Sequence, residues 1–136
     1  MIKTISFDER YLENFVYNGV EAEVAKDFHI KEVIMSYSQI GKSWMIIEDD
    51  KLICVGGLFS LWNGLGQAWV FLNKEIIRHK KFVFKEIKNC IEAGKKDYNQ
   101  IQVLCLQNSY EANNLINHLG FTKKDVYQRY TIQGDK

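Results

Sequence analysis

The sequence runs to 136 residues, 46% of them hydrophobic and 26% charged, and its 18 basic against 17 acidic side chains leave a net charge of +1. That is enough apolar material for one buried core and too little length for two, so a single domain over 1–136 is expected. A near-neutral chain with no run approaching the roughly 18 to 20 apolar residues of a membrane helix, and no signal-peptide core at its start, argues against a membrane or nucleic-acid partner and for a cytoplasmic location.

Lys3–Phe7 is the first strand candidate. Residues 8–42 follow as a polar and aromatic stretch that reads as helical, with Val24, Phe28, Val33 and Ile34 at loose helical spacing and Gly19 and Gly41 as punctuation. Trp44–Ile47 and Leu52–Leu61 are apolar runs separated by Glu48-Asp49-Asp50-Lys51, which predicts an antiparallel hairpin whose acidic turn needs no function of its own. Asn63-Gly64 is a strong turn signal because both residues tolerate positive φ, and it leads into a third strand, Gly66–Leu72.

A helix comes next, with Ile77, Val83, Phe84, Ile87, Cys90 and Ile91 on one stripe and lysines on the other; Gly94 is expected to end it, beside Lys95 and Lys96. Ile101–Leu106 is the continuous apolar run of a strand buried on both faces. Asn108 and Glu111 form a capping box for a second amphipathic helix whose stripe is Ala112, Leu115, Ile116 and Leu119 and which Gly120 closes. Phe121 and Val126–Ile132 supply one or two last strands. The expected fold class is therefore α/β (α+β): a mixed, mostly antiparallel sheet flanked by helices on both faces.

Charge is unevenly spread. Residues 74–96 hold eight basic side chains and three acids, a local +5. Arg78, Lys80 and Lys81 crowd the first turn of the helix, where phosphates are favoured, whereas Lys85, Lys88, Lys95 and Lys96 read as a solvated face. A nucleic-acid groove would need interleaved aromatics, which are missing. Cys54, Cys90 and Cys105 fall on apolar stripes and read as reduced core thiols, and no His or Cys pair has metal-ligand spacing, so no metal is expected. His79 could assist a leaving thiolate, but beside lysines it is expected to be exposed. Trp62, Tyr110, Tyr127 and Tyr130 are aromatic candidates for a substrate pocket, and Glu21, Glu23, Asp27 and Glu32 for recognition of a cationic amine.

The element order and some of its wording resemble the GNAT superfamily of acyl-CoA-dependent N-acyltransferases. Ser109 to Phe121, ending in Leu119-Gly120-Phe121, is similar to that family's fourth-helix phrase. Trp69-Val70-Phe71-Leu72 sits where its central strand splays from a neighbour, and Glu75–Ile87 where its pyrophosphate-binding turn opens a helix. Trp62 to Trp69 with Ile77-Arg78-His79 further resembles GNAT-like proteins of tailed bacteriophages, some of them virion components.

The resemblance implies an acetyl-CoA-binding N-acetyltransferase acting on a primary amine. Val70, Phe71 and Leu72 would hold the pantetheine arm and polarise the thioester, Arg78, His79, Lys80, Lys81, Phe82 and Val83 the diphosphate, and Ser109 the arm, with Tyr110 as candidate acid. The chain departs from the family's pattern at three places. Lys81 and Val83 replace the small residues of the phosphate turn, Ile116 stands where a tyrosine acid is usual, and Ala68–Phe71 carries no carboxylate base. The alternative these departures imply is a phage protein that kept the fold, lost the chemistry and serves in the virion or in contact with a host protein.

Overall fold

The computed structural model describes residues 1–13, 30–73, 76–104, 110–123 and 129–135. Seven strands form one sheet: β1 (Ile2–Ser6), β2 (Lys42–Glu48), β3 (Lys51–Trp62), β4 (Leu65–Leu72), β5 (Gln100–Leu104), β6 (Thr122–Lys123) and β7 (Arg129–Gln133). Their order across the sheet is β1-β2-β3-β4-β5-β7-β6, and β4 with β5 is the one parallel neighbour pair among the described strands. The expected mixed, mostly antiparallel sheet is what forms. Three described helices accompany it: α1 (Ile30–Ser38), α2 (Lys80–Gly94) and α3 (Tyr110–His118), with 3-10 turns at Glu9–Leu12 and Ile76–His79.

Strand alternation sorts the apolar side chains into two cores. Ile46, Ile53, Ala68, Leu72, Ile101 and Val103 join Val83, Phe84, Ile87 and Ile91 of α2 and Leu115, Ile116 and Leu119 of α3 on one face. Met45, Ile47, Leu52, Val55, Phe59 and Trp69 meet Leu12 and Ile34 on the other. The expected helices on both faces are thus explained by burial: neither side of the sheet is polar enough to face water. A shift in the β2–β3 register between Ile46 and Ile47 lets Ile53 and Cys54, neighbours in sequence, both reach the α2 side.

Gly56 and Gly57, unremarked in the sequence, let two tryptophans lie flat on opposite faces. Trp44 is the cross-strand partner of Gly56 and Trp69 of Gly57. A Cβ at Gly56 would sit 2.9 Å from Trp44 ring carbons, and one at Gly57 2.5 Å from the Lys42 carbonyl oxygen and 2.8 Å from Trp69 Nε1.

Several expectations are corrected in detail. Of residues 8–42, expected to be helical, the described part holds the short 3-10 turn and α1, with β2 beginning at Lys42, while Val24, Phe28 and Gly19 lie outside the described residues. Of Asn63-Gly64 only Gly64 takes a positive φ, +84°, whereas Asp49 in the acidic β2–β3 turn does so unpredicted, at +54°. Gly94 does end α2, yet its φ is not positive. It is buried against Leu58, so its missing Cβ serves close packing rather than a left-handed cap. Gly120, at φ +92°, closes α3 as expected. Asn108 and Cys105 lie outside the described residues.

Candidate functional site

β4 is laddered to β5 through Leu65↔Gln100, Gly66↔Ile101, Gln67↔Gln102 and Ala68↔Val103. There the described pairing of these two strands ends, although β4 stays paired with β3 up to Leu72↔Cys54 and β5 runs on to pair Leu104 with Arg129 of β7. The residues of the chain after Leu104, which would stand opposite Val70 to Leu72, lie outside the described residues, and the gap expected near Phe71 falls beyond the last described rung. Below the parting, Gln102 Nε2 donates to Gln67 Oε1 at 2.8 Å and Gln67 Nε2 to the Ala68 carbonyl at 2.9 Å, which satisfies the polar groups buried in the zipped half.

Alternation decides which backbone groups face the gap. The Asn73 N–H donates to the Ile53 carbonyl at 2.8 Å, so the odd-numbered residues of β4 turn their backbone groups to β3 and the even-numbered ones toward β5. Val70, the first even residue past the last rung, thus presents its N–H and C=O to the parting. Phe71 turns its N–H and C=O toward β3. The side chains divide likewise: Val70 and Leu72 join the α2–α3 core, whereas Trp69 and Phe71 join the α1 core.

On the α1 side Tyr37, Phe59, Trp69 and Phe71 form an aromatic wall. Tyr37 lies 5.3 Å from Phe59 and 5.5 Å from Trp69 between ring centroids, and Trp69 lies 6.2 Å from Phe71. Trp69 Nε1 is buried and has no acceptor among the described residues. Sequence reading missed Tyr37 and Phe59 because nothing in their spacing points across the sheet. Trp62, a candidate for such a pocket, is instead 65% exposed on the β3–β4 hairpin, at the end of β4 remote from the parting. Glu32 sits exposed in the first turn of α1; Glu21, Glu23, Asp27 and Tyr127 lie outside the described residues.

The second part of the site is the start of α2, a 15-residue helix whose first turn holds no acid and whose N-cap His79 side chain makes no capping hydrogen bond. The N-terminus of such a helix carries a positive dipole end that favours anions. Arg78 and Lys81 are exposed there. Lys80 Nζ lies 5.4 Å above the Phe84 ring, which in turn stands 5.9 Å from the His118 ring of α3 and so joins the two helices. Val83 is fully buried, Phe82 half-buried.

His79 is not exposed as expected. Its side chain is 15% accessible, and Nε2 lies 3.1 Å from a Glu48 carboxylate oxygen, too poorly aligned for a hydrogen bond. Glu48 at the end of β2 thereby has a role the sequence did not give it, fixing the helix start over the β2–β3 turn. Within that turn the N-terminal ammonium donates to Asp49 at 2.8 Å and holds its carboxyl below the usual carboxylate range.

Ile116 is 3% exposed within the core. Tyr110 begins α3, but its side chain, that of Tyr130 and all of Ser109 lie outside the described residues. Cys54 is wholly buried and Cys90 half-buried; burial, and then Glu86, push the Cys90 thiol up. No helix among the described residues is long and apolar enough to cross a membrane.

No family model matches the sequence, and no curated protein matches it either. Solved structures do. A GNAT-family acetyltransferase from Staphylococcus aureus aligns at a TM-score of 0.74 with 14% identity, over 98% of this chain and 99% of its own. One from Elizabethkingia anophelis, with acetyl-CoA bound, aligns at 0.69 with 13% identity, over 97% of each chain. A spermidine N-acetyltransferase chimera derived in part from Vibrio cholerae aligns at 0.67 with 13% identity, over 97% of this chain and 95% of its own. The fold is that of GNAT acetyltransferases.

Proposed function

We propose that this chain binds acyl-CoA, acetyl-CoA in the simplest case, and transfers the acyl group to the primary amine of an acceptor, working in the cytoplasm as one domain. The observation that carries the reading is that the described rungs between β4 and β5 stop at Ala68↔Val103 while β4 keeps its ladder to β3 as far as Leu72. Similarity of fold to a structure holding acetyl-CoA and to a spermidine acetyltransferase supports both halves of it.

The chemistry follows from which groups face the gap. The Val70 N–H donates to the thioester carbonyl oxygen and stabilises the negative charge that grows as the amine attacks. The amine nitrogen forms the new C–N bond, the C–S bond breaks, the electron pair leaves on sulfur, and the proton lost by nitrogen passes to solvent. The acceptor approaches along the aromatic wall of Tyr37, Phe59, Trp69 and Phe71, opposite α2. With no carboxylate on β4 and an isoleucine at 116, rate comes mainly from holding the two reactants together, and the about 10²–10⁴-fold of side-chain acid–base work is left to one candidate acid.

Arg78, Lys80 and Lys81, with the backbone N–H groups from His79 through Phe82 and Val83, receive the diphosphate. Side-chain charge there replaces the close backbone approach that small residues would allow. Leu72 flanks the arm on the α2 side, Ser109 touches it and Tyr110 is the candidate acid.

A second reading rests on a separate observation. Ile116 and Val83 are core residues, 3% and 0% exposed, so neither side chain offers a polar group to a ligand. A phage-encoded protein that kept the fold for the virion or a host contact and shed the chemistry would have this core.

A thermal-shift titration separates the two. Acetyl-CoA at about 100 Kd stabilises a true binder by about 2.7 kcal/mol, and Arg78→Glu with Lys81→Glu abolishes that shift. An unchanged melting curve at millimolar acetyl-CoA leaves the scaffold reading standing.

A further inference from the structure

Directly below the last rung of the β4–β5 ladder, on the face covered by α2 and α3, lies a cavity of about 40 Å³ lined by apolar side chains. Ala68 and Val103, the residues of that rung, line it with Val70. Cys90 of α2, Ile116 of α3 and Trp44 of β2 enclose it. Val70, whose N–H and C=O face away from β3 just past that rung, is thus also a wall of the cavity. A water needs about 10–15 Å³ of such space and two to four polar partners, and this lining does not offer the partners. Carbon is what fits, and the space takes a stub of a few carbon atoms at most.

We infer that the acyl donor of this site carries three or four carbons, a propionyl or butyryl thioester in preference to acetyl, with the chain beyond the second carbon seated in this cavity. The inference rests on the acyl-transfer reading above and fixes its substrate class. The bonds made and broken are those already given, the longer chain being carried unchanged from sulfur to nitrogen. The limit on length has a structural cause. Trp44, Leu58 and Cys90 also line a second, wider groove reaching Ile40 and Tyr98. Cys90 and its neighbours are therefore the partition that stops a longer chain.

Binding, independent of turnover, tests this. Calorimetric titration with free CoA and with acetyl-, propionyl-, butyryl- and hexanoyl-CoA is expected to show affinity rising about fourfold per added carbon up to butyryl and falling again at hexanoyl. Ala68→Leu, which fills the cavity, is expected to erase the butyryl advantage while leaving free CoA affinity within twofold. Should its melting curve show that it does not fold, Val103→Ile, one methylene larger, is expected to move the optimum from butyryl to propionyl or acetyl. Cys90→Ala is expected to recover hexanoyl binding. Equal affinity for all four thioesters, with CoA itself bound, overturns the chain-length inference and spares acyl transfer. A butyryl advantage that survives Ala68→Leu overturns it as well. Failure to bind even free CoA removes both.

Discussion

From Leu65 to Ala68, β4 is hydrogen-bonded on both sides, to β3 and to β5; from Trp69 to Leu72 its described strand pairing is to β3 alone. The same strand is a scaffold in its first half and a candidate site in its second. The difference teaches that the side chains do not mark the site; the backbone does. A buried peptide group left without a partner costs about 1–3 kcal/mol, and a fold keeps such a position in register only where the other side of the strand holds it. Here β3 does the holding, and the glycine pair opposite Trp69 and Val70 lets it approach closely.

Proline substitution breaks this comparison most sharply, because proline removes one N–H and leaves the chain otherwise extended. Phe71→Pro deletes a donor directed at β3 and is expected to unfold the protein or lower its stability by about 3 kcal/mol, read by urea titration. Val70→Pro deletes the donor directed at the gap. It is expected to keep most of that stability while losing about 10²-fold in acyl-transfer rate, the loss seen when one donor to a developing oxyanion is removed. Equal stability losses for the two would mean that Val70 is paired like any interior strand residue.

The next largest effect separates packing glycines at the boundary from those elsewhere. A Cβ at Gly57 meets a backbone carbonyl, which cannot move without disturbing the β2–β3 ladder, and the indole of Trp69. Gly57→Ala is expected to cost about 3 kcal/mol, the upper part of the range for overpacked cores. At Gly94 the obstacle is the far end of Leu58, a flexible side chain that can swing aside. Gly94→Ala is expected to cost no more than about 1 kcal/mol, since alanine also favours the helix. Thermal melts of the two variants decide it.

Much of the scaffold was legible in the sequence, because the hairpin of β2 and β3, the strand β4 and the stripes of α2 and α3 are written in local periodicity. A gap here was legible only through resemblance, since Trp69-Val70-Phe71-Leu72 reads as an ordinary buried strand; nothing in it says where its pairing with β5 stops. The aromatic wall was not legible, for Tyr37 and Phe59 reach Trp69 only after three separate elements have packed. The His79–Glu48 approach was missed for the same reason: 31 residues separate the pair in sequence, and each read locally as a solvent-facing charge. Position 116 stands on the other side of that line, since the helical stripe already put it in the core, and there it is.

Glu48 supplies a smaller test at the rim of the parted half. It is the one carboxylate described within ion-pair reach of His79 at the start of α2, and a negative charge near a helix N-terminus competes with any phosphate placed there. Glu48→Gln keeps the shape and removes the charge. It is expected to tighten CoA about twofold to fivefold at low salt, following an interaction of about 0.3–1 kcal/mol, and to lose that gain as ionic strength rises. Unchanged affinity in calorimetry would separate the His79 region from the diphosphate.

The smallest expected effect belongs to the zipped half, beneath which Cys90 borders the apolar cavity. Burial, with Glu86 adding to it, raises the Cys90 thiol above the 9.0 of a free one. Below about pH 9 the thiol is protonated in both folded and unfolded chains and makes stability no more pH-dependent. Above it the unfolded chain releases the proton first and binds fewer than the folded one, so stability falls as pH rises toward the folded value. Cys90→Ala removes that slope but also some packing. The wild-type advantage over Cys90→Ala in urea midpoint is therefore expected to be constant from about pH 7 to about pH 8 and to shrink by about pH 10. Tyr98, whose hydroxyl burial also pushes up, is present in both proteins and cancels from the difference. An advantage that grows with pH instead would mean a stabilised thiolate, and with it a cavity wall more polar than the apolar enclosure that favours a longer acyl chain.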